Sequence, residues 1–284
     1  MKLSKIFALL LALCLISSAA CAATFTDAHG NVIELDDSLE AYAAVTLVGA
    51  DNAARQGETN LGDLWADALR WFAVSGEINA AFDEDDVKAG NDRIAVDADH
   101  VVALWNGGNL RADIAEGTFG AEALAEVLPF PNKVAVVYMT GAQLLETLEA
   151  ASQGLPYTAE TADACASLMQ VSGLTYAVDT TKAYDALEAY GDHWFTAGSV
   201  SRVRIDDVNG QPFDAEATYA VVTSNANFNG MDSSYVLKAA AEANEQSAVT
   251  TAVVRDVVFR FIAAELNHQV GEAYTAPQGR LTIL

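Results

Sequence analysis

Three runs of apolar, strand-forming residues constrain the fold of this chain most strongly. They lie at residues 101–104, 133–139 and 219–223. The first and the third are almost wholly apolar, which indicates strands that are buried on both faces. Helical patterns lie between the runs, so the sequence predicts a sheet with helices packed against it.

The other predicted elements mix hairpins with helices. A helix is predicted to begin at residues 58–60, with Thr59 or Asn60 as its N-cap. Asp63 and Asp67 are predicted to lie on its polar side, because Leu61, Leu64, Trp65, Ala68 and Phe72 form an apolar stripe. Further helices are predicted at 121–127, 142–151 and 250–266, strands at 45–48, 169–178, 200–206 and 280–284, and hairpins at 25–35 and around Asn209-Gly210. This order predicts an α/β domain with a mixed sheet and α+β character.

A glycine-rich turn follows the first apolar run. Its sequence is Asn106-Gly107-Gly108-Asn109, and Arg111 lies just beyond it. Glycine has no Cβ, so the backbone can turn here and approach a ligand closely. Asn106 offers an amide, and the guanidinium of Arg111 suits a phosphate or a carboxylate. The turn by itself is more typical of an exposed loop than of a binding site, so its interpretation depends on the rest of the chain.

The first 22 residues are predicted to be a signal peptide. Lys2 and Lys5 precede an apolar run at residues 6–16, and small residues lead to Ala20-Cys21-Ala22. Cleavage there is favoured over a lipid anchor at Cys21, so the mature protein is expected to be periplasmic or extracellular. No other run approaches the ~20 apolar residues of a transmembrane span.

The charge of the chain limits its partners. It has 39 acidic and 15 basic side chains, a net charge of −24, which disfavours nucleic acids and anionic membranes. Any anionic ligand would have to be bound by a few locally placed arginines. The acidic segment at residues 82–99 lacks the ligand order of a calcium loop and is predicted to be a solvated loop.

Catalytic chemistry has little support in the sequence. Cys165 is the cysteine left once Cys14 and Cys21 depart with the leader, and it is interpreted as a buried small hydrophobe. His193, between Asp192 and Trp194, is interpreted as part of a packed corner rather than as a base. We therefore assign no catalytic residue from the sequence.

Six segments in order resemble the C-terminal domain of the 5′-nucleotidase/UDP-sugar hydrolase family. They lie at residues 55–68, 106–111, 127–132, 140–149, 170–174 and 229–232, and they include Asn-Gly-Gly-x-x-Arg and Leu-Pro-Phe sequences. The resemblance implies a layered fold with helices packed on mixed β-sheets. It divides the chain into the signal peptide (1–22), a lead-in hairpin (23–46) and a 5′-nucleotidase C-terminal-like domain (47–284).

The resemblance also implies a nucleoside pocket. Arg55 and Arg111 correspond to arginines that contact substrate, and Asn106, within the same loop as Gly108, to an asparagine beside the base. Phe130 corresponds to an aromatic that stacks on the base, which suits a flat π-system. Asp232 corresponds to an acid that hydrogen-bonds the ribose hydroxyls, since a carboxylate accepts two such bonds.

Two departures from the family pattern concern the pocket. Family members have a second stacking aromatic six residues before the aspartate, where this chain has Ala226. Phe228 is expected either to take that role or to leave the base stacked on one side. The family's Gly-Gly-Asp is Gly230-Met231-Asp232 in this chain, which predicts a reshaped ribose loop.

The metallophosphatase half of the family is not recognisable. Asp27-Ala28-His29-Gly30 copies its first metal motif, but the accompanying histidine motifs are absent, so a turn is favoured over a metal site. No cofactor is expected in this chain, and divalent metals are expected on a missing or separate catalytic domain. The favoured function is nucleoside or nucleotide binding related to nucleotide catabolism. The alternatives are a subunit of a split 5′-nucleotidase, completed by a separate metallophosphatase chain, and a non-binding relict or interaction domain.

Overall fold

A computed structural model describes residues 40–82 and 94–284, together with the backbone of two strands at 23–26 and 32–35. The predicted signal peptide, the Asp27–Gly30 turn and most of the acidic segment lie outside the described residues. The two early strands pair antiparallel, as the predicted hairpin requires. Among the described residues no helix is long and apolar enough to cross a bilayer.

The elements follow one another in a mixed order. The strands are β1 (Ala23–Thr26), β2 (Val32–Leu35), β3 (Glu40–Ala43), β4 (Val101–Asn106), β5 (Gly117–Gly120), β6 (Lys133–Thr140), β7 (Met169–Ser172), β8 (Leu174–Val178), β9 (Ala186–Tyr190), β10 (Trp194–Ala197), β11 (Val203–Val208), β12 (Thr218–Ser224), β13 (Ala248–Val253), β14 (Gln269–Val270) and β15 (Leu281–Ile283). The α-helices are α1 (Ala53–Gln56), α2 (Asn60–Val74), α3 (Ala121–Val127), α4 (Gly141–Ala151), α5 (Asn225–Phe228), α6 (Tyr235–Ala243) and α7 (Val254–Ala264). Short 3₁₀ turns lie at Glu77–Ala81, Ala98–His100, Gly107–Asn109, Ala164–Ser167 and Glu272–Tyr274.

The centre of the fold is a five-stranded sheet with the order β13-β6-β12-β4-β7. Strands β12 and β4 are parallel, and the other neighbours are antiparallel. The mixed α/β fold predicted from the sequence is therefore confirmed. All three apolar runs of the sequence are strands of this sheet, and β12 lies between β6 and β4.

The central sheet separates two hydrophobic cores, because successive side chains of a strand point to opposite faces. Along β4, Val101, Ala103 and Trp105 belong to one core, and Val102 and Leu104 belong to the other. Helices α2, α3 and α7 cover the first face. Helix α4, helix α6 and the sheet β11-β8-β15 cover the second face. Burial on both faces explains why the central strands lack polar alternation.

Three smaller sheets complete the described structure beside β1-β2. Strand β8 joins β11 antiparallel and β15 parallel, strand β3 lies between β14 and β5, and β9 and β10 form a hairpin. Strand β3 begins at Glu40, so residues ahead of the expected boundary at 47 contribute to a sheet of the fold.

Helix α2 begins where the sequence predicts, but its polar side packs against other parts of the protein instead of facing solvent. Thr59 is the N-cap, and its Oγ1 accepts a hydrogen bond of 3.0 Å from the Gly62 amide. Asp63 is fully buried and Asp67 is largely buried, so the polar side on which both were predicted to lie is covered by protein. The reason is long-range, since the C-terminal segment around Arg280 packs against this face.

Three predicted elements differ from the structure. Residues 45–48 form a single bridge, Leu47 to Ile114, rather than a strand. The predicted strand at 169–178 is divided at Gly173, whose positive φ of 79° turns the chain from the central sheet into the sheet of β8. The predicted helix at 250–266 begins four residues later, because residues up to Val253 pair with β6 as strand β13. Cys165 is a buried free thiol, as expected.

Candidate functional site

The candidate site lies at one edge of the central sheet. Parallel strands β4 and β12 end there, at Asn106 and Ser224, and antiparallel strand β6 begins there, at Lys133. In open sheets with parallel strands, ligands bind in the crevice outside the carboxyl ends. Loops that leave or enter three adjacent strands therefore converge on one place.

A cavity of about 460 Å³ opens between these loops. Its walls come from the loop after β4, the loop before β6, the turn at Ala164–Ser167 and the segment after β12. The lining residues are Asn106, Gly108, Asn109, Arg111, Phe130, Pro131, Asn132, Ala166, Asn225, Ala226, Asn229, Met231 and Asp232. Five of the seven residues predicted for the pocket are in this lining.

Asn106 and Asp232 join the two sides of the cavity. The Asn106 side-chain amide donates a hydrogen bond of 2.7 Å to Oδ2 of Asp232. Its carbonyl oxygen accepts a bond of 2.7 Å from the side chain of Asn109. Because Asn106 is buried at the end of β4, this chain of bonds fixes the orientation of the Asp232 carboxylate.

Arg111 and Phe130 form a second pair at the rim. The guanidinium carbon of Arg111 lies 5.7 Å from the centre of the Phe130 ring, within the range of a cation–π contact. Partial burial lowers the pKa of Arg111, and the nearby charge of Arg55 lowers it further. Phe130 is 42% exposed, so its ring is open to a ligand.

The electrostatics of Asp232 reflect its position between the arginines. Burial raises the pKa of the Asp232 carboxyl above its usual value, although Arg55, Arg111 and the Asn106 hydrogen bond all act in the opposite direction. Its backbone has a positive φ of 56°, which an aspartate tolerates better than most residues. The site thus contains a carboxyl group on which burial and two nearby arginines act in opposite directions.

The glycine pair also packs closely against other parts of the protein. A Cβ on Gly107 would come within 2.0 Å of the carbonyl oxygen of Ala54, and a Cβ on Gly108 within 2.7 Å of the Cβ of Ala166. The two glycines are therefore needed for close approach to the protein's own backbone. This packing places α1, which carries Arg55, against the loop after β4.

Arg55 lies behind the cavity wall rather than in the lining. It is buried, and its Nη1 donates a hydrogen bond of 3.0 Å to the carbonyl oxygen of Ala162. The same atom lies 3.9 Å from a carboxylate oxygen of Asp163. Its electrostatic influence on both Arg111 and Asp232 shows that it belongs to the same charged cluster.

Phe228 does not line the cavity. It is partly buried against the second core, beside helix α6, because α5 turns its side chain away from the site. Ala226 lines the cavity instead, and Met231 adds an exposed apolar side chain. The structure therefore gives no support to Phe228 as a second stacking aromatic, and Phe130 is the aromatic side chain in the lining.

Several lining residues were not singled out from the sequence. Asn225 and Asn229 lie in the asparagine-rich segment after β12, and Asn132 follows the Leu-Pro-Phe segment, so both segments carried a usable signal. Ala166 carried none, because only the tertiary fold brings the turn after α4 to this edge. In residues 40–82 and 94–284 no group of three or more His, Cys, Asp or Glu side chains is arranged to hold a metal ion.

Comparison with known families agrees with this geometry. Residues 40–239 match the family model for the 5′-nucleotidase C-terminal domain, and the chain belongs to that family.

Individual relatives are considerably longer than this chain. The trifunctional nucleotide phosphoesterase YfkN of Bacillus subtilis is 28% identical over 188 residues, which is 65% of this chain and 10% of YfkN. The crystal structure of a 5′-nucleotidase precursor from Thermus thermophilus matches with a TM-score of 0.61 and 28% identity, over 86% of this chain and 39% of that one. The NAD nucleotidase of Haemophilus influenzae shares the fold, with a TM-score of 0.56 and 16% identity, over 86% of this chain and 38% of that one.

Proposed function

We propose that this chain binds a nucleoside or nucleotide in the cavity at the edge of the central sheet. The observation that carries the proposal is that one cavity of about 460 Å³ collects an aromatic face, an arginine, an amide and a carboxyl group. A nucleoside needs this combination, because its base is flat and apolar on its faces and its ribose presents hydroxyl groups.

Phe130 is the stacking platform in this proposal. Arg111 contacts the ring at 5.7 Å, and Phe130 lines the cavity and is 42% exposed, so part of its ring is open to a base. Stacking of a base on an aromatic side chain contributes about 1–3 kcal/mol. The contact is tolerant of base identity, so it supports binding of nucleosides as a class.

Asp232 is the proposed partner of the ribose. Among the described contacts, Asn106 engages Oδ2 of the carboxyl group, which leaves Oδ1 available to a ligand hydroxyl. A hydrogen bond to a charged group contributes about 1.5–3 kcal/mol. Because burial raises the pKa of Asp232, this bond is expected to weaken as the pH falls, and to do so at a higher pH than an ordinary aspartate would require.

Calorimetry with adenosine, AMP and UDP-glucose tests the proposal. We expect Phe130→Ala to weaken the binding of each ligand by about 5- to 150-fold, the equivalent of one lost stacking contact. Phe195→Ala is the matched control, because Phe195 is 44% exposed and lies outside the cavity lining. No heat from any ligand at millimolar concentration would contradict the proposal and favour a non-binding interaction domain.

We propose, as a second candidate, that the chain supplies the substrate-binding part of a split 5′-nucleotidase. The observation that favours it is that the match covers 39% of the Thermus thermophilus 5′-nucleotidase precursor, so most of that protein has no counterpart in the matched region. Phosphate release from AMP is then expected only when this chain is mixed with a separate metallophosphatase chain and a divalent metal. Hydrolysis of AMP by this chain alone would contradict this second candidate.

We also propose that residues 1–22 direct export to the periplasm or the extracellular space. The basis is the sequence of Lys2, Lys5, the apolar run and the small residues before Ala23. Mass spectrometry of the secreted chain is expected to show a new N-terminus near Ala23. A mature N-terminus at a lipid-modified Cys21 would instead identify an anchored protein.

A further inference from the structure

The β9-β10 hairpin lies beside the segment that carries Asp232. Tyr190, the last residue of β9, donates a hydrogen bond of 2.6 Å from its hydroxyl to the carbonyl oxygen of Gly230. Its ring also lies 5.6 Å from the ring of Tyr235, at the start of helix α6. Tyr190 therefore contacts the chain on both sides of Asp232, although it does not itself line the cavity.

Gly230 allows this close approach. Its φ is 86°, and a Cβ at this position would come within 2.3 Å of the Tyr190 hydroxyl oxygen. Glycine is needed here on both grounds, because other residues rarely adopt this φ and any side chain would push the hydroxyl away. Asp232, two residues further on, also has a positive φ, and such a backbone persists only where surrounding groups hold it.

Hydrogen bonds within the segment set its shape. The amide of Gly230 donates a bond of 2.9 Å to the carbonyl oxygen of Asn227, and the amide of Met231 donates one of 3.0 Å to that of Ala226. Asn227 is buried, and its side-chain amide donates a bond of 2.8 Å to the hydroxyl of Ser234. These bonds keep the segment compact, but they do not fix where it stands relative to the cavity walls.

Two hydrogen bonds from other elements fix residues 230–232 in place. Among the described contacts, Tyr190 bonds the carbonyl group of Gly230, and Asn106 bonds the carboxyl group of Asp232 at 2.7 Å. Asn106 comes from β4 in the central sheet, whereas Tyr190 comes from the separate hairpin. The carboxyl group of Asp232 is therefore held from two directions.

The hairpin has anchors that do not depend on the hydroxyl of Tyr190. The indole Nε1 of Trp194 donates a hydrogen bond of 3.3 Å to the carbonyl oxygen of Ala164. The amide of Phe195 donates a bond of 2.8 Å to the side-chain oxygen of Gln153. Loss of the Tyr190 hydroxyl is thus expected to free one carbonyl group without detaching the hairpin.

We propose that Tyr190 is a positioning residue, which holds the carboxyl group of Asp232 in the orientation that a ribose requires. The inference rests on the proposed function, in which Asp232 accepts a hydrogen bond from a ribose hydroxyl. The strength of a hydrogen bond depends on its distance and angle, so a small displacement of Gly230 is enough to weaken this bond. Tyr190 thereby favours ligands that carry ribose hydroxyls, although it lies outside the cavity lining.

A nucleoside without ribose hydroxyls separates this role from a purely structural one. Dideoxyadenosine, which lacks both the 2′- and the 3′-hydroxyl, keeps the base that stacks on Phe130 but not the groups that bond Asp232. Calorimetry with adenosine and dideoxyadenosine on the full chain measures the ribose contact as a ratio of affinities. We expect Tyr190→Phe, which keeps the ring against Tyr235, to lower this ratio by about 2- to 10-fold, the equivalent of one hydrogen bond. Its affinity for dideoxyadenosine is expected to change by less than about twofold.

Tyr184→Phe is the matched control. The hydroxyl of Tyr184 donates a bond of 2.7 Å to the carbonyl oxygen of Phe195 in the hairpin, and not to the segment that carries Asp232. This variant is expected to leave the ratio of affinities unchanged. An equal effect of the two tyrosine variants would overturn the role of Tyr190 and indicate a general loosening of the hairpin.

A double variant tests whether Tyr190 acts through Asp232. In a chain that already carries Asp232→Asn, Tyr190→Phe is expected to change the affinity for adenosine by less than about twofold, because the bond that it positions is already weakened. The same loss of affinity in both backgrounds would show that Tyr190 acts by another route, and it would overturn the proposal.

The outcomes also separate this inference from the proposed function. Adenosine binding that Tyr190→Phe leaves unchanged overturns the positioning role alone. Failure of the unsubstituted chain to bind either nucleoside overturns the proposed function, and equal affinity for the two nucleosides overturns the ribose contact of Asp232. In both of these cases the positioning role falls as well. Urea denaturation confirms that each variant is folded under the conditions of the titration.

Discussion

The molecule has two clusters of arginine and aspartate side chains, which differ in how far they are buried. One is the open cluster, Arg111 and Asp232 at the cavity. The other is the closed cluster, in which Arg280 meets Asp63 and Asp67 between helix α2 and the C-terminal strand. Comparing them shows how burial decides whether a charged pair binds a ligand or holds the fold together.

The closed cluster has its hydrogen bonds largely satisfied from within. Arg280 donates bonds of 2.8 Å to Oδ2 of Asp67 and 2.7 Å to the carbonyl oxygen of Val171. Tyr274 and Ser172 donate to the two oxygens of Asp67, at 2.9 and 2.6 Å. The Arg280 side chain is only 13% exposed and lies outside the lining of the candidate cavity.

The open cluster keeps part of its hydrogen-bonding capacity unused among the described contacts. Arg111 contacts the Phe130 ring and lines the cavity, while Asp232 is fixed through one oxygen by Asn106. A ligand can therefore add bonds here without breaking the fold. The contrast predicts that substitutions in the closed cluster change stability, and that substitutions in the open cluster change binding.

The largest expected effect is the loss of stability on breaking the closed cluster. Arg280→Met keeps the aliphatic stem but leaves Asp67 without its cation, so we expect a loss of about 3–5 kcal/mol in the free energy of unfolding. Urea denaturation measures this loss. The matched control is Arg204→Met, whose ion pair with Asp206 is well exposed and is expected to contribute about 0–1 kcal/mol.

A similar loss of stability in both arginine variants would mean that burial is not what distinguishes the clusters. The folded fraction of the Arg280→Met variant should still bind adenosine, because Arg280 is not in the cavity lining.

The next effect in size concerns binding at the open cluster. Asp232→Asn replaces a charged acceptor by a neutral one, so we expect adenosine binding to weaken by about 1.5–3 kcal/mol while the free energy of unfolding changes by less than about 1 kcal/mol. Calorimetry and urea denaturation of the same preparation give both values. A large loss of stability with unchanged adenosine affinity would reverse the roles that we assign to the two clusters.

The smallest expected effect, taken per pH unit, is a pH dependence of stability that arises from Asp63. Burial raises the pKa of Asp63 to about 8, although Arg280 acts to lower it. Between about pH 4 and pH 8 the Asp63 carboxyl group keeps its proton in the folded chain but has lost it in the unfolded chain. The free energy of unfolding therefore falls as the pH rises through this window. One such group contributes at most about 1.4 kcal/mol per pH unit.

Asp63→Asn should flatten that slope, as measured by urea denaturation at pH 5, 6, 7 and 8. Asp192→Asn, an exposed substitution of the same charge, should leave the slope unchanged. An Asp63→Asn slope that matches the unsubstituted chain would show that the carboxyl group ionises normally in the fold.

Local patterns were sufficient for much of the fold. The apolar periodicity and the Thr59 cap located helix α2, and the apolar runs located the three adjacent strands β4, β6 and β12. These features depend on neighbours a few residues away, which the sequence displays directly. The division of residues 169–178 was not predictable in this way, because it depends on which sheet each half joins.

In the candidate site, too, some residues could be located from the sequence and others could not. The Asn-Gly-Gly turn, Arg111, Phe130 and Asp232 were located from motifs, and the structure brings them to one cavity. Phe228 lies outside the lining, because the direction of its side chain is set by the short helix α5 and the core behind it. Ala166 could not be placed from the sequence, since only the folded chain brings the turn after α4 to this edge.

Motifs and periodicity were enough to predict the family and the mixed α/β class, because they are local properties of the chain, and five of the seven residues predicted for the pocket line the cavity. Long-range packing, by contrast, decides which charged residues are buried. Asp63 is polar by type and lies on the polar side of its helix, yet a segment more than 200 residues away covers it. Burial depends on every element that packs nearby, and no local pattern contains that information.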